Sequence, residues 1–232
     1  MRKQLLALTM GAAALFTGCQ ESTLSSAVAE GATTFNVSVE GELTRASTDA
    51  TRFLMEIYDS SDAIVAEGTS STGQFSAILL DDQDYTAVFW ADVNGADVYE
   101  TESLKSVKLV ADLAVEAWAG SVSFTTDGTT STSVTLKRAV AKLTLKETAA
   151  IPADNSIKVS FSQFAVFNAS TMAVESTVSA YEKTFAIESA VEGTEDSPVL
   201  IATDIYVLAS ADRANARKKI TLTRKMPINL NV

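Results

Sequence analysis

The chain has 232 residues and a formal net charge of −11, and 47% of its residues are hydrophobic, which is enough to build a core. It contains no histidine, so Ser-His-Asp and Cys-His catalysis and histidine-ligated zinc are excluded. The single cysteine, Cys19, has no partner for an intramolecular disulfide, and an acidic chain without a basic patch is a poor partner for nucleic acid. We expect no cofactor, no bound metal and no enzymatic activity.

The first residues, MRKQLLALTMGAAALFTGC, have the layout of a secretory signal peptide, with a basic start, a short apolar stretch and small residues at the end. The apolar stretch is too short to span a bilayer comfortably. We interpret the residues around Cys19 as a lipobox, which predicts a lipoprotein signal peptide over 1–18 and lipid on the Cys19 sulfur. An ordinary signal peptide with an incidental cysteine is the alternative. Residues 19–34 are small and polar and are predicted to form a flexible tether.

A strand is predicted directly after the tether, because FNVSVEGEL alternates apolar and polar side chains. The apolar positions are Phe35, Val37, Val39 and Leu43. Arg45 has the same parity, although a guanidinium cannot lose its charge to enter a core. Either the strand ends before Arg45, or this arginine is there to be recognised by another molecule.

The middle of the chain is predicted to consist of short strands joined by turns. The runs 53–59 and 63–68 are predicted to pair as a hairpin around residues 60–62. Asn94-Gly95 and Asp127-Gly128 are two further hairpin signals, because these residues tolerate positive φ. Residues 102–120 are ambiguous between a short helix and a loop with one strand.

A second half begins near Ala139, with strands predicted in 139–147, 156–168 and the last thirty or so residues. Residues 170–183 are predicted to hold a short helix, because three apolar side chains are spaced by four and three. The turn spacing predicts an all-β protein with two sandwich domains, at 35–138 and 139–232.

The side chains that are candidates for chemistry or ligand binding have simpler structural interpretations. Asp92, Asn94 and Asp97 lack the further ligands that a calcium loop needs, and a turn accounts for them. No two acids are placed across a cleft as glycoside hydrolysis requires. Trp90 and Trp118 would stack on sugars only if exposed, and core packing is the favoured interpretation for both.

Three stretches together resemble one known family: the lipobox with its tether and first strand, YTAVFWAD at 85–92, and LKRAVAKLTL at 136–145. The chain resembles the fimbrillin superfamily, which comprises type V pilins and related outer-membrane lipoproteins of Gram-negative anaerobes. The resemblance implies two tandem transthyretin-like β-sandwiches. It also implies a cell-surface or fimbrial location and attachment to the outer membrane through the lipid.

The resemblance implies a role for Arg45 as well. In such pilins an arginine-specific protease cuts after the first strand, which would here separate Arg45 from Ala46. The strand then leaves, and a strand of another subunit takes its place, so that the partners are other pilin subunits in a homopolymer. The alternative is that Arg45 only ends its strand, and Arg52 is a second candidate for the cut.

The other end of the chain supplies a candidate donor strand over 226–232. Its apolar side chains alternate with asparagines and are Ile228, Leu230 and Val232. An ordinary last strand of the second sandwich is the alternative. Two functions therefore remain open, a pilus subunit or fimbria-associated protein that supports adhesion, and a monomeric lipid-anchored surface module that binds a glycan or protein receptor.

Overall fold

A computed structural model of the protein describes residues 31–40, 50–93, 95–127, 131–210 and 221–225. The prediction of an all-β protein is confirmed, because the regular elements of the described residues are strands and two short 3₁₀ turns. No helix in this part of the chain is long and apolar enough to span a membrane. The strands are β1 Ala32–Val39, β2 Arg52–Asp59, β3 Ile64–Ser70, β4 Gln74–Ile78, β5 Asp84–Asp92, β6 Tyr99–Glu100, β7 Val107–Leu109, β8 Ala117–Thr125, β9 Ser131–Arg138, β10 Val140–Glu147, β11 Asn155–Phe164, β12 Val166–Asn168, β13 Ala173–Val174, β14 Val178–Ile187, β15 Val199–Leu208 and β16 Thr221–Lys225.

The first half of the chain forms a sandwich from one folded sheet. Its seven strands follow the order β3-β2-β5-β8-β9-β1-β4. β8 and β9 pair at only two positions, so the sheet turns there and its two parts face each other. The core between them is built from the alternate inward side chains of both layers, including Phe35 from one layer and Phe89 from the other.

The second half forms another pair of layers, the two-stranded sheet β10-β15 and the three-stranded sheet β14-β11-β16. Buried Ile157, Val159 and Phe161 of β11 face Ile205 and Val207 of β15 across this core. The alternation of apolar and polar residues along β11 places every second side chain inside, as in other sandwiches.

A third core and a small sheet join the two halves. β12 pairs with β7 in the sheet β13-β12-β7-β6, although these strands come from opposite sides of residue 138. The shared cluster beneath this sheet contains Trp90 and Tyr99 from the first half and Phe167 and Leu208 from the second. The domain limits 35–138 and 139–232 remain predictions, and the structure adds that packing continues across them.

Several predictions of local structure can be compared with this fold. The hairpin around residues 60–62 is confirmed, since β2 and β3 pair there and Asp62 has φ 69°. The Asp59 carboxylate accepts hydrogen bonds from the backbone N–H of Ser61 and Ala63, which closes the turn.

The helix predicted over 170–183 is wrong. Residues 173–174 and 178–187 are strands, and β14 pairs with β11 over its whole length. The spacing that suggested a helix does not mark one buried face, because Val178 is exposed while Tyr181 is buried. Ten cross-strand pairs outweigh the weak helical preference of that segment.

The hairpin prediction at Asn94-Gly95 is wrong, and the one at Asp127-Gly128 is correct only in that β8 and β9 are antiparallel neighbours. Gly95 begins a 3₁₀ turn, and its backbone N–H donates a hydrogen bond to the Asp92 carboxylate. β5 pairs with β2 and β8 and not with the strand that follows the turn. Residues 131–136 of β9, after Asp127-Gly128, pair with β1, and β8 meets β9 only at the far end of both strands. Asn94 and Gly128 themselves lie outside the described residues.

Candidate strand-exchange site

The first strand lies inside a sheet, with a neighbour on each side. β1 is parallel to β9, in register from Thr34↔Ser131 to Val39↔Leu136. It is antiparallel to β4, in register from Ala32↔Ile78 to Asn36↔Gln74. Both backbone edges of β1 are therefore occupied, and removing the strand would leave ladder groups of β4 and β9 without partners.

The side chains of β1 alternate as the sequence predicts. Phe35 and Val37 are buried, Val39 is half-buried, and Asn36 and Ser38 are exposed. Leu43, the remaining apolar position of the alternation, lies outside the described residues. The inward face of β1 thus contributes apolar area to the first core, at roughly 25 cal/mol for each Å² buried.

Phe35 occupies the centre of this contact. Its ring meets the rings of Phe89 and Phe124 edge-on, at centroid distances of 5.5 and 5.4 Å. Such edge-to-face pairs stabilise beyond the area that they bury. The pocket for Phe35 is formed by β5 and β8 of the facing layer, so a different strand in the position of β1 would need an aromatic or large aliphatic side chain here.

Gly73 packs against β1, a contact that the sequence analysis does not predict. Its carbonyl accepts a hydrogen bond of 2.8 Å from the Val37 N–H, and its φ is +76°. A Cβ on Gly73 would lie 2.2 Å from the carbonyl oxygen of Val37, closer than any real contact. Only glycine therefore allows this turn to touch β1. The run Ser71-Thr72-Gly73 is an ordinary turn signal, and nothing in it identifies the strand that it contacts.

The residues proposed for processing and donation lie outside the described parts of the chain. These are Cys19, Arg45, Ala46, Ile228, Leu230 and Val232. The structure does show where the chain leaves and returns around Arg45. It leaves β1 at Glu40, whose N–H donates to the Leu136 carbonyl, and it returns at Ala50, which is buried.

Arg52, the second candidate for the cut, is held in place. Its guanidinium makes a bidentate contact with Asp92, with Nε to Oδ1 at 3.1 Å and Nη2 to Oδ2 at 2.5 Å. Asp92 is fully buried and also accepts hydrogen bonds from the Trp90 indole N–H and the Gly95 N–H. The bond after Arg52 lies inside β2, so a protease would have to unfold that strand to reach it.

The alternative function, binding of a glycan or protein, needs residues at the surface that could hold such a ligand. Trp90 and Trp118 are fully buried, which confirms the core interpretation and removes both from any sugar-stacking role at the surface. A polar surface depression of about 380 Å³ lies at the end of the first sandwich near the β2–β3 turn. Its polar lining consists of Asp59, Ser60, Asp84, Thr86, Ser123 and Thr125. Among the described residues, no cluster of three or more acidic or cysteine side chains could hold a metal ion.

An ion pair at Arg138 lies at the junction of the two halves. Its Nη2 is 2.5 Å from Oε1 of Glu116, a residue that is largely buried. The backbone N–H of Ala139 next to it donates to the Ala117 carbonyl. This pair fixes the end of β9 against the end of β8, and it is a structural contact.

The comparisons with known proteins agree with this architecture. The model of a family of unknown function, DUF6562, matches residues 25–228. A comparison with curated proteins gave no match. Among solved structures, a candidate adhesin from Bacteroides thetaiotaomicron has a TM-score of 0.58 at 10% identity, over 86% of this chain and 78% of that one.

Two further structures share the fold. The fimbrial anchor protein Mfa2 from Porphyromonas gingivalis has a TM-score of 0.52 at 15% identity, over 84% of this chain and 78% of its own. A candidate polysaccharide-binding protein from Bacteroides thetaiotaomicron has a TM-score of 0.53 at 9% identity, over 84% and 77%. At these identities the likeness establishes a common fold, and function has to be argued from the site.

Proposed function

We propose that this chain, which belongs to the DUF6562 family, is a fimbria-associated surface lipoprotein that supports adhesion and whose first strand another subunit can replace. The observation that carries the proposal is β1 itself. It begins at Ala32 and so includes residues 32–34 of the predicted tether. It inserts between β4 and β9 and places Phe35 in an aromatic pocket of the facing layer. The structural similarity to a fimbrial anchor protein and to a candidate adhesin supports the same function.

The assembly step that we propose is strand exchange. Cleavage between Arg45 and Ala46 would free β1 from the rest of the chain, and its departure would expose an apolar groove with two open ladder edges. A donor strand from another copy, for which we propose residues 226–232 with Ile228, Leu230 and Val232 inward, would restore both ladders. Lipid on Cys19 would hold the uncut protein at the outer membrane, and no step of this function requires catalysis or a cofactor.

The proposal is tested on the chain from Cys19 to Val232 with an arginine-specific protease. We expect a new N-terminus at Ala46, no cut after Arg52, and SDS-resistant oligomers once β1 has left. Arg45→Lys is the matched control, because it keeps the charge and removes the protease's recognition. Cleavage at Arg45 with the product remaining monomeric at high concentration would contradict strand exchange and leave the alternative function.

A double variant separates the departure of β1 from the cut. Ser38 and Thr135 are register partners with hydroxyl oxygens 3.3 Å apart, so Ser38→Cys with Thr135→Cys would form a disulfide between β1 and β9. In a Cys19→Ser background we expect this protein to be cut at Arg45 and to remain monomeric until it is reduced. Oligomers that form before reduction would show that β1 need not leave.

The alternative is a monomeric lipid-anchored module that binds a glycan or protein receptor. The polar depression favours a glycan, because it offers carboxylate and hydroxyl groups at an exposed end of the sandwich. One of the structures that share the fold is described as a candidate polysaccharide-binding protein. Glycan-array binding that Asp84→Ala abolishes in the uncut monomer would support this function over strand exchange.

A further inference from the structure

The direction of β1 relative to β9 has a mechanical consequence. The two strands are parallel, so both begin at the same end of the sandwich, where Thr34 lies beside Ser131. The residues that precede Ala32 therefore join the sheet at this end. β9 leaves the sandwich at the opposite end, where Arg138 continues into Ala139 and the second half of the chain.

Tension between the tether and the second half would therefore act along these two strands in opposite directions. The pull enters at the first residue of β1 and leaves at the last residue of β9. Parallel strands pulled from opposite ends are loaded in shear, so the hydrogen bonds of the ladder share the force. The same pull shears β1 against β4. The ladder of β1 with β9 contains 6 register pairs and the ladder with β4 contains 5.

We propose that β1 and its two ladders form a force-bearing clamp, which keeps the first sandwich folded while the protein is pulled away from its N-terminal tether. The proposal goes beyond the function proposed above. It requires only that tension enters through the residues before β1, so it depends on neither strand exchange nor a particular adhesive ligand. The clamp belongs to the uncut chain, because cleavage after β1 would disconnect the strand from the second half.

The side chains of β1 make sliding costly. A shift by one residue would turn Phe35 and Val37 outward, since side chains alternate along a strand. The smallest shift that keeps the apolar face inward is two residues, or about 6.6 Å. It would pull Phe35 out from between Phe89 and Phe124 and leave the smaller Val37 in its place. The hydrogen bond from the Val37 N–H to the Gly73 carbonyl must also break before β1 can slide.

The other end of the clamp is also fixed. Arg138 is paired with Glu116 at 2.5 Å, and the Ala139 N–H donates to the Ala117 carbonyl. Ala139 and Val140 are buried in the core that joins the two halves. β9 therefore cannot peel away from β8 before the force reaches the ladder with β1.

Single-molecule force spectroscopy on the chain from Cys19 to Val232 tests the clamp. Cys19 is the only cysteine, so its thiol provides a unique attachment point, and a handle at the C-terminus provides the other. The comparison protein is Cys19→Ser with Glu40→Cys. Glu40 is exposed and lies just past β1, so a pull from this position enters at the end where β9 leaves. This pull opens the ladder between β1 and β9 one register pair at a time, starting from the end nearest Glu40.

We expect the rupture force of the first sandwich to fall by roughly half in the Glu40 geometry at equal loading rate, because shear loads the ladder bonds together. The disulfide between positions 38 and 135 identifies which rupture in the force trace belongs to the first sandwich. This variant is held through an N-terminal tag because its cysteines are used for the disulfide. The disulfide should shorten the extension of the first-sandwich rupture by roughly 340 Å, at about 3.5 Å for each residue removed from the stretch. Equal rupture forces in the two geometries would overturn the proposal, whether or not the protein assembles into fimbriae.

Discussion

The carboxylate of Asp92 is fully buried and accepts hydrogen bonds from three residues, the guanidinium of Arg52, the Trp90 indole and the Gly95 backbone. Replacing Asp92 by alanine leaves Arg52 without its partner and two buried N–H groups without acceptors. We expect the free energy of unfolding to fall by about 3–5 kcal/mol, as when one partner of a buried ion pair is removed. Urea unfolding followed by tryptophan fluorescence measures this loss.

The matched control for this prediction is the exposed pair between Lys108 and Glu100, whose side chains are 53% and 49% exposed. Exposed ion pairs contribute little because water solvates both charges. Glu100→Ala should therefore leave the urea midpoint almost unchanged. A loss for Asp92→Ala no larger than that of the control would show that Arg52 finds another acceptor, and would weaken the argument that Arg52 is protected from proteolysis.

Tyr58 should make the protein sensitive to alkali. Its burial and its hydrogen bond to Glu56 raise the pKa of the phenol from 10.0 to about 12. The folded state therefore keeps a proton that the unfolded state loses, so this stabilisation is complete below pH 10 and is lost as the pH rises towards 12. Between these values the free energy of unfolding of the wild type should decrease relative to that of Tyr58→Phe. Urea midpoints of both proteins, measured from pH 9 to 12, test this, and parallel curves would contradict it.

At the scale of elements, the contact between β1 and the β3–β4 turn determines how firmly the first strand is held. Gly73→Ala would place a methyl group against the Val37 carbonyl and a side chain at φ +76°. We expect a loss of more than about 1–2 kcal/mol, the usual cost of that backbone conformation alone. Hydrogen exchange at the Val37 amide should accelerate as well, because its acceptor is the Gly73 carbonyl.

Gly31→Ala is the control that separates the cost of positive φ from the cost of the clash with the Val37 carbonyl. Gly31 has φ +85°, yet nothing lies within 4 Å of the position where its Cβ would be. This variant should show the conformational cost without the clash and should leave the Val37 amide protected. Equal stability of the two variants, with equal protection of Val37, would mean that β1 does not depend on Gly73.

The sequence predicts which side chains of β1 face inward, because alternation is a local property. It does not predict that the neighbour of β1 is a parallel strand starting at Ser131, since many runs of the chain could supply that backbone edge. The turns show the same limit. Asn94-Gly95 has the composition of a hairpin, but the Asp92 carboxylate captures the Gly95 N–H, and β5 already has partners on both edges. The sequence singles out Arg45 by its parity with the apolar positions, whereas nothing in the sequence indicates that Gly73 contacts β1.

At the scale of the whole molecule, turn spacing in the sequence predicts the boundary near residue 138. The contacts between the two halves across this boundary could not be predicted. Phe167 is fully buried and lies 5.8 Å from Trp90, centroid to centroid, although the two residues belong to different halves. β12, which carries Phe167, also pairs with β7 of the first half. Such contacts join residues far apart in sequence, and no local pattern identifies them. Each half therefore contributes to the stability of the other.

Phe167→Ala should show this coupling, because both tryptophans lie before residue 138 and Trp118 lies in the core of the first half, which does not contain Phe167. We expect the unfolding transition seen by tryptophan fluorescence to lose about 3–5 kcal/mol, as for other buried phenylalanines. Phe161→Ala is the matched control, since Phe161 is buried in the core of the second half and packs on Tyr181. It should shift the transition seen by circular dichroism more than the one seen by tryptophan. Loss of the Phe167 ring without any change in tryptophan-reported stability would mean that the halves fold independently, and that tension in one is not passed to the other through their shared core.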